Sequence, residues 1–325
     1  MKILFLCPYF GKLPEHFHYF LKSCEYNNTI NWLIYTDDER YNDVAPRNVI
    51  IKNVDFRFIK NRVQNNFDFK ISLENPYKLC DFRPAYGDIF NAEIKGYDFW
   101  GHCDFDVIFG DIRKFITDDL LENYCKIFPH GCLSIYKNDY KINNAYKYCH
   151  INEKHDINIS YRDIFSSKDF WGFDEMNGLF DIHKIFKILN FTFYDSSEHL
   201  AEIDWRAKRF LLICDNGFVE NRVLEWINGK LIDKSIVDGK LTCREYALCH
   251  FSSRSFSFNT EKNAPMQSFI ITPNAILTKY LPLNVDNIIE YSKINGICEI
   301  KQYTKEDDLA TLKESLERYM RLKGK

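Results

Sequence analysis

Two aspartates, Asp104 and Asp106, closely follow an apolar and aromatic run at residues 97–100, and this segment constrains the fold most strongly. Such a run indicates a strand that leaves a buried core. Two carboxylates separated by one residue at its end can offer oxygen ligands to a hard divalent cation, which keeps coordination positions for phosphate oxygens. The segment therefore predicts a Mn²⁺ or Mg²⁺ site suited to a nucleotide diphosphate. A solvated surface turn is the alternative.

The composition is that of a globular protein. The chain has 325 residues, which is enough for one large α/β domain or two smaller ones. Apolar residues make up 46% and aromatic residues 16%, so the chain can build a large core and still expose rings that stack on sugars. The 43 basic and 46 acidic side chains give a net charge of −3, whereas a nucleic-acid-binding domain is usually basic. We therefore expect no nucleic-acid partner.

The cysteines and the N-terminus both favour a cytoplasmic location. The 11 cysteines are an odd number without regular spacing or a Cys-x-x-Cys motif, which is typical of reduced, buried thiols and argues against zinc. The apolar run at residues 3–10 is interrupted by Pro8 and lacks a small-residue cleavage site, so we interpret it as a strand rather than a signal peptide. No apolar run approaches the roughly 20 residues of a membrane span.

Strands and helices alternate in the first hundred residues. We predict strands at 3–9, 30–36 and 48–51, and a helix that begins at Pro14, a position where proline is tolerated. One face of this helix carries Phe17, Phe20, Leu21 and Cys24. This order, with carboxylates at strand ends, predicts a parallel sheet that binds ligands at its carboxyl edge.

The later elements are predicted from the same patterns. We expect a helix at 113–124, a strand at 132–136, a polar acceptor-side insertion at 137–168, a helix at 180–189, strands at 230–232 and 240–251 around a turn at 237–239, and an amphipathic helix at 305–325. Residues 1–255 would form the main domain, and residues 256–325 a C-terminal helical extension.

The segment around the two aspartates resembles the metal-binding Asp-x-Asp motif of glycosyltransferases with the A-type fold, including its tail VIFGDI at 107–112. Together with KLCDFRP at 78–84, it resembles a little-studied group of bacterial glycosyltransferase-like proteins that are often encoded among surface-polysaccharide genes. The resemblance runs from residue 1 to about 255. It implies an α/β fold with a mostly parallel sheet flanked by helices. It also implies metal-dependent transfer from a nucleotide-diphosphate sugar, most often a UDP-sugar, to a glycan or lipid-linked acceptor.

The resemblance also suggests roles for single residues. His250 matches a downstream histidine that serves as a third metal ligand in many of these enzymes, although the glycine and Lys-Pro-Trp that usually follow are missing. On the donor side, a ring would stack on the base and polar groups would bind the ribose or diphosphate, and the candidates are Tyr9, Asp37, Asp38, Lys78, Asp81, Arg83 and Arg254. The alternatives are a core-edge histidine, ordinary packing, loop caps, a buried Asp81–Arg83 ion pair and a solvated arginine.

A second motif, FWGFDE at residues 170–175, resembles the Trp-Gly-x-x-Glu-Asp acceptor loop of inverting galactosyltransferases. In such a loop Trp171 would stack on the acceptor sugar. Asp174 or Glu175 would be the general base that an inverting transfer requires. The alternative is that these acids cap the following helix. A retaining enzyme would need no such base.

Two other functions remain open from the sequence. A phosphatase of the haloacid dehalogenase type also has an Asp-x-Asp motif at a strand end, usually near the first strand of the chain. A catalytically inactive sugar-binding protein would need no metal. The basic residues of the predicted C-terminal helix allow peripheral contact with an anionic membrane, and packing on its own domain or on a dimer partner is the alternative.

Overall fold

A mixed sheet forms the centre of the N-terminal part of the molecule. The computed structural model describes residues 1–148, 150–152, 157–176, 180–195, 197–203, 210, 212–215, 219, 221–251, 257–259, 266–293, 317 and 320. The strands of all sheets, in chain order, are β1 (Ile3–Pro8), β2 (Ile30–Thr36), β3 (Val49–Asn53), β4 (Phe99–Cys103), β5 (Val107–Phe109), β6 (Lys126–His130), β7 (Leu133–Lys137), β8 (His150–Asn152), β9 (Ile157–Ile159), β10 (Phe193–Tyr194), β11 (Leu200–Glu202), β12 (Asn221–Ile227), β13 (Lys230–Val237), β14 (Lys240–Tyr246), β15 (Leu248–His250), β16 (Ser257–Asn259), β17 (Ser268–Ile271) and β18 (Ala275–Leu277).

The helices are short, and most of them connect strands of this sheet along the chain. They are α1 (Phe17–Tyr26), α2 (Phe56–Asn65), α3 (Leu79–Phe82), α4 (Tyr86–Ile89), α5 (Ile112–Phe115), α6 (Asp118–Asn123), α7 (Tyr140–Asn143), α8 (Tyr161–Ser166), α9 (Ile182–Ile188) and α10 (Val285–Tyr291). Short 3₁₀ turns at Pro76–Lys78 and Arg83–Ala85 flank α3. Among the described residues, no helix is long and apolar enough to cross a membrane.

The central sheet has the order β10-β6-β7-β4-β1-β2-β3. Strands β4, β1, β2 and β3 run parallel, whereas β7 is antiparallel to both β4 and β6. The prediction of an α/β fold with a largely parallel sheet is therefore confirmed, and the arrangement is compatible with a Rossmann-like fold. Its parallel half places the ends of β1 and β4 at one edge of the sheet.

The core lies on both faces of this sheet, as parallel strands require. Leu4 and Leu6 of β1 pack in one buried cluster, whereas Ile3 and Phe5 pack in another. Because successive side chains of a strand point to opposite faces, the continuous apolar run of β1 fills both clusters. The uninterrupted burial of β1 explains why its sequence resembles a signal peptide.

Several predicted elements have different bounds in the structure. Helix α1 begins at Phe17 rather than at Pro14, whose carbonyl oxygen accepts a hydrogen bond from the Phe17 N–H at 3.0 Å, so Pro14 belongs to the preceding turn. The predicted apolar face is nevertheless buried. The single helix predicted at 113–124 is divided into α5 and α6, because Thr117 caps a new helix by accepting from the Leu120 N–H at 3.2 Å.

The predicted insertion and the C-terminal region differ in how much of them is described. Residues 137–168 contain the end of β7, α7, the antiparallel pair β8–β9 and α8. The predicted helix at 305–325 lies outside the described residues except for Glu317 and Met320.

A second sheet, β14-β13-β12-β17-β18-β16, follows the central one in the chain. The hairpin predicted around residues 237–239 is confirmed: Asp238 and Gly239 have φ values of 49° and 68°, as a tight primed turn requires. Strand β12 pairs with β17, so this sheet includes strands from both sides of residue 255. The strand predicted at 240–251 is interrupted after Tyr246. Its last part, β15, belongs to a separate sheet with the order β11-β15-β5.

Candidate metal centre and its cleft

The structure brings Asp104, Asp106 and His250 together. One ligand atom from each side chain lies within 4.8 Å of the other two. Two carboxylates and one imidazole suit Mn²⁺, and the carboxylates also suit Mg²⁺. The donor set therefore fits the cation that the sequence predicts.

Backbone pairing explains how a distant histidine reaches the two aspartates. Asp104 and Asp106 lie in the connection between β4 and β5, and β15 pairs antiparallel with β5 so that His250 is opposite Val107. The Phe251 N–H also donates to the carbonyl oxygen of Asp106 at 2.9 Å. The three side chains are therefore brought together by strand pairing rather than by a flexible loop.

The His250 imidazole lies between two carboxylates. Its Nε2 is 3.4 Å from Asp106 Oδ2, and its Nδ1 is 3.4 Å from Glu202 Oε1. Burial by itself lowers the pKa of His250, but Cys132, Asp106 and Glu202 outweigh it and hold this pKa well above its ordinary value. Burial likewise opposes ionisation of Asp106, but contact with His250 lowers the pKa of its carboxyl overall. The centre therefore carries negative charge that a cation or an imidazolium can balance.

Arg83 connects the metal candidate to the second predicted motif. Its Nη2 donates to Asp104 Oδ1, and its Nη1 donates to Asp174 Oδ2 at 2.8 Å and to the Gly131 carbonyl oxygen at 2.9 Å. The Arg83 side chain is only 13% exposed, so the guanidinium is held rigidly at the cleft. A fixed guanidinium at this position can bind a phosphate oxygen.

A cleft of about 760 Å³ surrounds these groups. Of the residues predicted from sequence, its lining includes Tyr9, Arg83, Asp104, Asp106, Glu175 and His250. The Tyr9 side chain is 36% exposed, and its ring centroid lies 5.2 Å from that of Phe105. The Tyr9 ring is therefore supported by Phe105 and remains accessible to a planar ligand.

Asp37 and Asp38 do not line this cleft. The Asp37 carboxylate accepts from the Gly11 N–H at 2.7 Å, and Asp38 accepts from the Leu13 N–H at 2.8 Å. Gly11 has a φ of 99°, a left-handed conformation that favours glycine. A hydrogen bond from Arg40 lowers the pKa of Asp38. Both aspartates thus order the loop after β1, as the loop-cap alternative predicts, instead of contacting a ligand in the cleft.

Lys78 and Asp81 form a buried ion pair of 2.7 Å that also lies outside the cleft lining. Asp81 accepts from the backbone N–H groups of Trp171 at 2.9 Å and Phe173 at 3.0 Å. Lys78 and Asp81 were predicted to contact the donor, and this prediction is corrected because both side chains are buried and neither lines the cleft. The pair secures the FWGFDE segment, and the partner of Asp81 is Lys78 rather than Arg83.

Trp171 and Asp174 are also less accessible than the sequence predicts. Trp171 is 8% exposed and packs on Phe180, with 5.5 Å between ring centroids, so it cannot be the stacking platform of the cleft. Asp174 is fully buried, and burial raises its pKa to about 7 although Arg83 acts in the opposite direction. Its carboxyl does not line the cleft.

Glu175 is the acid of this motif that lies in the cleft. Its side chain is open to solvent there, where partial loss of water contact raises the pKa of its carboxyl. The preceding Gly172 has a φ of 64°, and the Glu175 N–H donates to its carbonyl oxygen at 3.1 Å, so a tight turn directs Glu175. Helix α9 is capped by Asp181, which accepts from the Lys184 N–H at 3.0 Å, so neither Asp174 nor Glu175 caps it.

Two residues of this site, Tyr77 and Glu202, were not predicted from the sequence. Tyr77 lines the cleft, is 63% exposed and has its ring centroid 4.9 Å from that of Phe170. Its position directly before the KLCDFRP motif is the sequence feature that could have indicated it. Glu202 faces His250 across β11 and β15, and no sequence pattern indicates this pairing. Arg254 lies outside the described residues.

Comparison with known proteins shows the family of this chain. A family described as "Family of unknown function (DUF6625)" matches residues 5–280, and the chain therefore belongs to that family. The chain matches none of the curated proteins.

Proposed function

We propose that this member of a family of unknown function is a metal-dependent glycosyltransferase. It would transfer a sugar from a nucleotide-diphosphate donor to a glycan or lipid-linked acceptor in surface-polysaccharide synthesis. The observation that carries this proposal is the Asp104–Asp106–His250 cluster at the end of a buried parallel strand, beside a fixed guanidinium in a large cleft. A hard cation, a basic side chain and room for a sugar are what a diphosphate-sugar donor requires.

The metal side of the cleft would bind the diphosphate. Asp104, Asp106 and His250 would hold Mn²⁺ or Mg²⁺, which would neutralise the diphosphate and stabilise it as a leaving group. Arg83 donates to one oxygen of Asp104 and so leaves the second oxygen of this carboxylate for the cation. Its guanidinium would add a second positive charge beside the phosphates.

Tyr9 would bind the base of the donor. It follows β1 at the carboxyl edge of the sheet, where open α/β sheets bind their ligands. The exposed face of its ring can stack on a uracil-like base, so a UDP-sugar is the donor that we expect. Asp37 and Asp38 support this subsite indirectly, since their hydrogen bonds order the loop that follows Tyr9.

Glu175 and Tyr77, which line the same cleft, would bind the acceptor. Glu175 would take the proton of the acceptor hydroxyl as its oxygen bonds to the anomeric carbon, while the bond from that carbon to the nucleoside diphosphate breaks. This single displacement inverts the anomeric configuration, and a general base assists it by accepting the proton. Tyr77, supported by Phe170, would stack on a sugar face in place of the buried Trp171.

The two alternative functions receive no specific support from the fold. At the end of β1 the chain carries Pro8 and Tyr9, and the Asp-x-Asp motif follows β4, whereas a phosphatase of the haloacid dehalogenase type usually carries its nucleophile near the first strand. An inactive sugar-binding protein would not need a cluster of three metal-binding side chains. We propose a cytoplasmic location, which the free cysteines of the described residues support.

A panel of nucleotide sugars tests the function directly. Calorimetry with each nucleotide diphosphate, in Mn²⁺ and in excess chelator, should show binding only when the cation is present. Release of nucleoside diphosphate from the bound sugar donor should follow the same requirement. Equal binding in chelator would favour the sugar-binding protein, and metal-dependent hydrolysis of simple phosphate esters without any donor turnover would favour the phosphatase.

A further inference from the structure

Glu202 and Asp106 lie near different nitrogens of the His250 imidazole. The Nε2 atom of His250 is 3.4 Å from Asp106 Oδ2, whereas Nδ1 is 3.4 Å from Glu202 Oε1. The two ring nitrogens therefore have different neighbours. One faces the candidate cation site, and the other faces a carboxylate that is not part of the cluster.

Strand pairing fixes this contact. Strands β11 and β15 are parallel, and Glu202 is directly paired with His250 in their register. The next residue, Ile203, donates its N–H to the His250 carbonyl oxygen at 3.1 Å. The carboxylate and the imidazole are consequently held side by side by backbone hydrogen bonds, and the contact does not depend on a mobile loop.

Further titratable groups lie near the Glu202 carboxylate. Its second oxygen, Oε2, is 3.9 Å from His130 Nδ1, and His130 Nε2 is 3.9 Å from Asp195 Oδ1. Glu202 and His130 are both largely shielded from solvent, with side chains 21% and 17% exposed. The carboxylate therefore has an imidazole nitrogen within 3.9 Å of each oxygen, and the nearer of the two belongs to His250.

A carboxylate beside a histidine ligand affects how that histidine binds a metal ion. A neutral imidazole can bind a metal through Nε2 only when its proton is on Nδ1. His250 Nδ1 is buried and has no hydrogen-bond partner of good geometry among the described residues, and the Glu202 carboxylate lies 3.4 Å from it. A carboxylate that accepts the Nδ1 proton selects this tautomer, orients the ring and makes the ligating nitrogen more basic. We infer that Glu202 is a positioning residue that holds His250 with Nε2 toward the cation. This inference rests on the metal centre of the proposed function.

The test is Mn²⁺ binding to the purified full-length protein, measured by calorimetry without any sugar donor. We expect Glu202→Ala to weaken Mn²⁺ affinity about 10–100-fold, the usual effect of removing a partner of a ligating histidine. Glu202→Gln keeps a hydrogen-bond acceptor and loses the charge, so its affinity should lie between those of the wild type and Glu202→Ala. The control is Glu198→Ala, since the Glu198 side chain is nearby in the chain and 65% exposed.

A second measurement guards against a folding defect. The rise in Tm caused by saturating Mn²⁺ should shrink in Glu202→Ala and stay unchanged in Glu198→Ala. If Glu202→Ala does not fold, the Mn²⁺ affinity of Glu202→Gln tests the inference instead. Mn²⁺ binding by the wild type with unchanged affinity in both Glu202 variants would overturn this inference and leave the metal centre intact. An equal loss in Glu198→Ala would also overturn it, and a wild type that binds no Mn²⁺ would remove the metal centre itself.

Discussion

Arg83 and Asp174 form a buried ion pair, with 2.8 Å between Nη1 of the guanidinium and Oδ2 of the carboxylate. The other terminal nitrogen of Arg83 donates to Asp104, so one side chain links the candidate metal centre to the FWGFDE motif. Asp174 is fully buried, and the second oxygen of its carboxylate has no hydrogen-bond partner among the described residues. The pair therefore joins the two motifs at the cost of burying a carboxylate that is only partly satisfied.

This burial predicts a pH dependence of stability. Asp174 has a folded pKa of about 7, above the ordinary value of 3.8 that we expect in the unfolded chain. Between these values the folded protein binds the extra proton, so the free energy of unfolding should fall as pH rises from about 4 to about 7, by at most about 1.4 kcal/mol for each pH unit from this group. Asp174→Asn should abolish the contribution of this carboxyl to the pH dependence of the free energy of unfolding. Urea unfolding of the wild type and the variant at pH 5 and pH 8 would measure this.

A matched variant makes the pH prediction specific. Asp169→Asn changes a nearby carboxylate that the structure leaves partly exposed. It should retain the difference in unfolding free energy between pH 5 and pH 8 that the wild type shows. The raised pKa of Asp174 would be refuted by an Asp174→Asn protein with the same pH dependence as the wild type.

The two aspartates of the metal centre are predicted to act through the cation. Asp104→Ala and Asp106→Ala should each reduce kcat about 10²–10³-fold, the typical cost of losing one preorganised electrostatic group. Both should weaken Mn²⁺ binding in calorimetry, and the fold should survive because these residues lie at a strand end. Asp119→Ala, at an exposed position in α6, should leave binding and turnover unchanged. Near wild-type turnover of both cluster variants in saturating Mn²⁺ would refute the assignment.

The exposed ring of Tyr77 predicts an effect on the acceptor alone. Tyr77→Ala removes the ring that rests on Phe170, and we expect the KM for a glycan acceptor to rise roughly 10-fold, as the energy of an aromatic contact suggests. Tyr77→Phe keeps the ring and should behave like the wild type. Donor binding, measured by calorimetry with the nucleotide diphosphate, should be the same in all three proteins. A change in donor affinity would place Tyr77 outside the acceptor site, and an equal rise in KM for both substitutions would show that its hydroxyl, rather than its ring, contacts the acceptor.

Strands and helices whose residues show a clear apolar pattern could be predicted from the sequence. The strand at 30–36 has the predicted bounds, and the apolar face of α1 is buried as expected. Asp104 and Asp106 were found because a buried strand followed by two close carboxylates is visible within ten residues of sequence. His250 was found through a family resemblance, and its position next to Asp106 follows from the pairing of β15 with β5.

The remainder of the site depends on tertiary contacts that no local pattern contains. The residues Lys78, Asp81 and Arg83 lie close together in the chain, so the sequence does not show which of them form ion pairs. In the fold, Lys78 pairs with Asp81. Arg83 pairs with Asp104 and Asp174. Trp171 and Tyr77 are both aromatic residues beside a motif, yet packing buries the first and leaves the second in the cleft. Glu202 lies in a three-residue strand whose partner is far away in sequence.

The position of Glu175 predicts which acid of the FWGFDE motif acts on the acceptor. Its carboxyl is open to the cleft, whereas the Asp174 carboxyl is buried and paired with Arg83. Glu175→Gln should therefore lower kcat about 10²–10⁴-fold, as the loss of a general base typically does, and should keep the Kd of the donor. Asp174→Asn should have a smaller direct effect on kcat, because this carboxyl does not reach the cleft.

The control for Glu175 is Glu74→Gln, an exposed acid whose ion pair with Lys60 lies outside the cleft lining. It should keep both kcat and the donor Kd. Unchanged kcat in Glu175→Gln would remove Glu175 from the chemistry and favour a retaining mechanism, which needs no base at this position. A weaker donor Kd together with lower kcat would show instead that Glu175 shapes the nucleotide site, since it lies in the same cleft as Arg83 and Asp104. The separation of kcat from donor Kd therefore decides between a base on the acceptor side and a group that binds the donor.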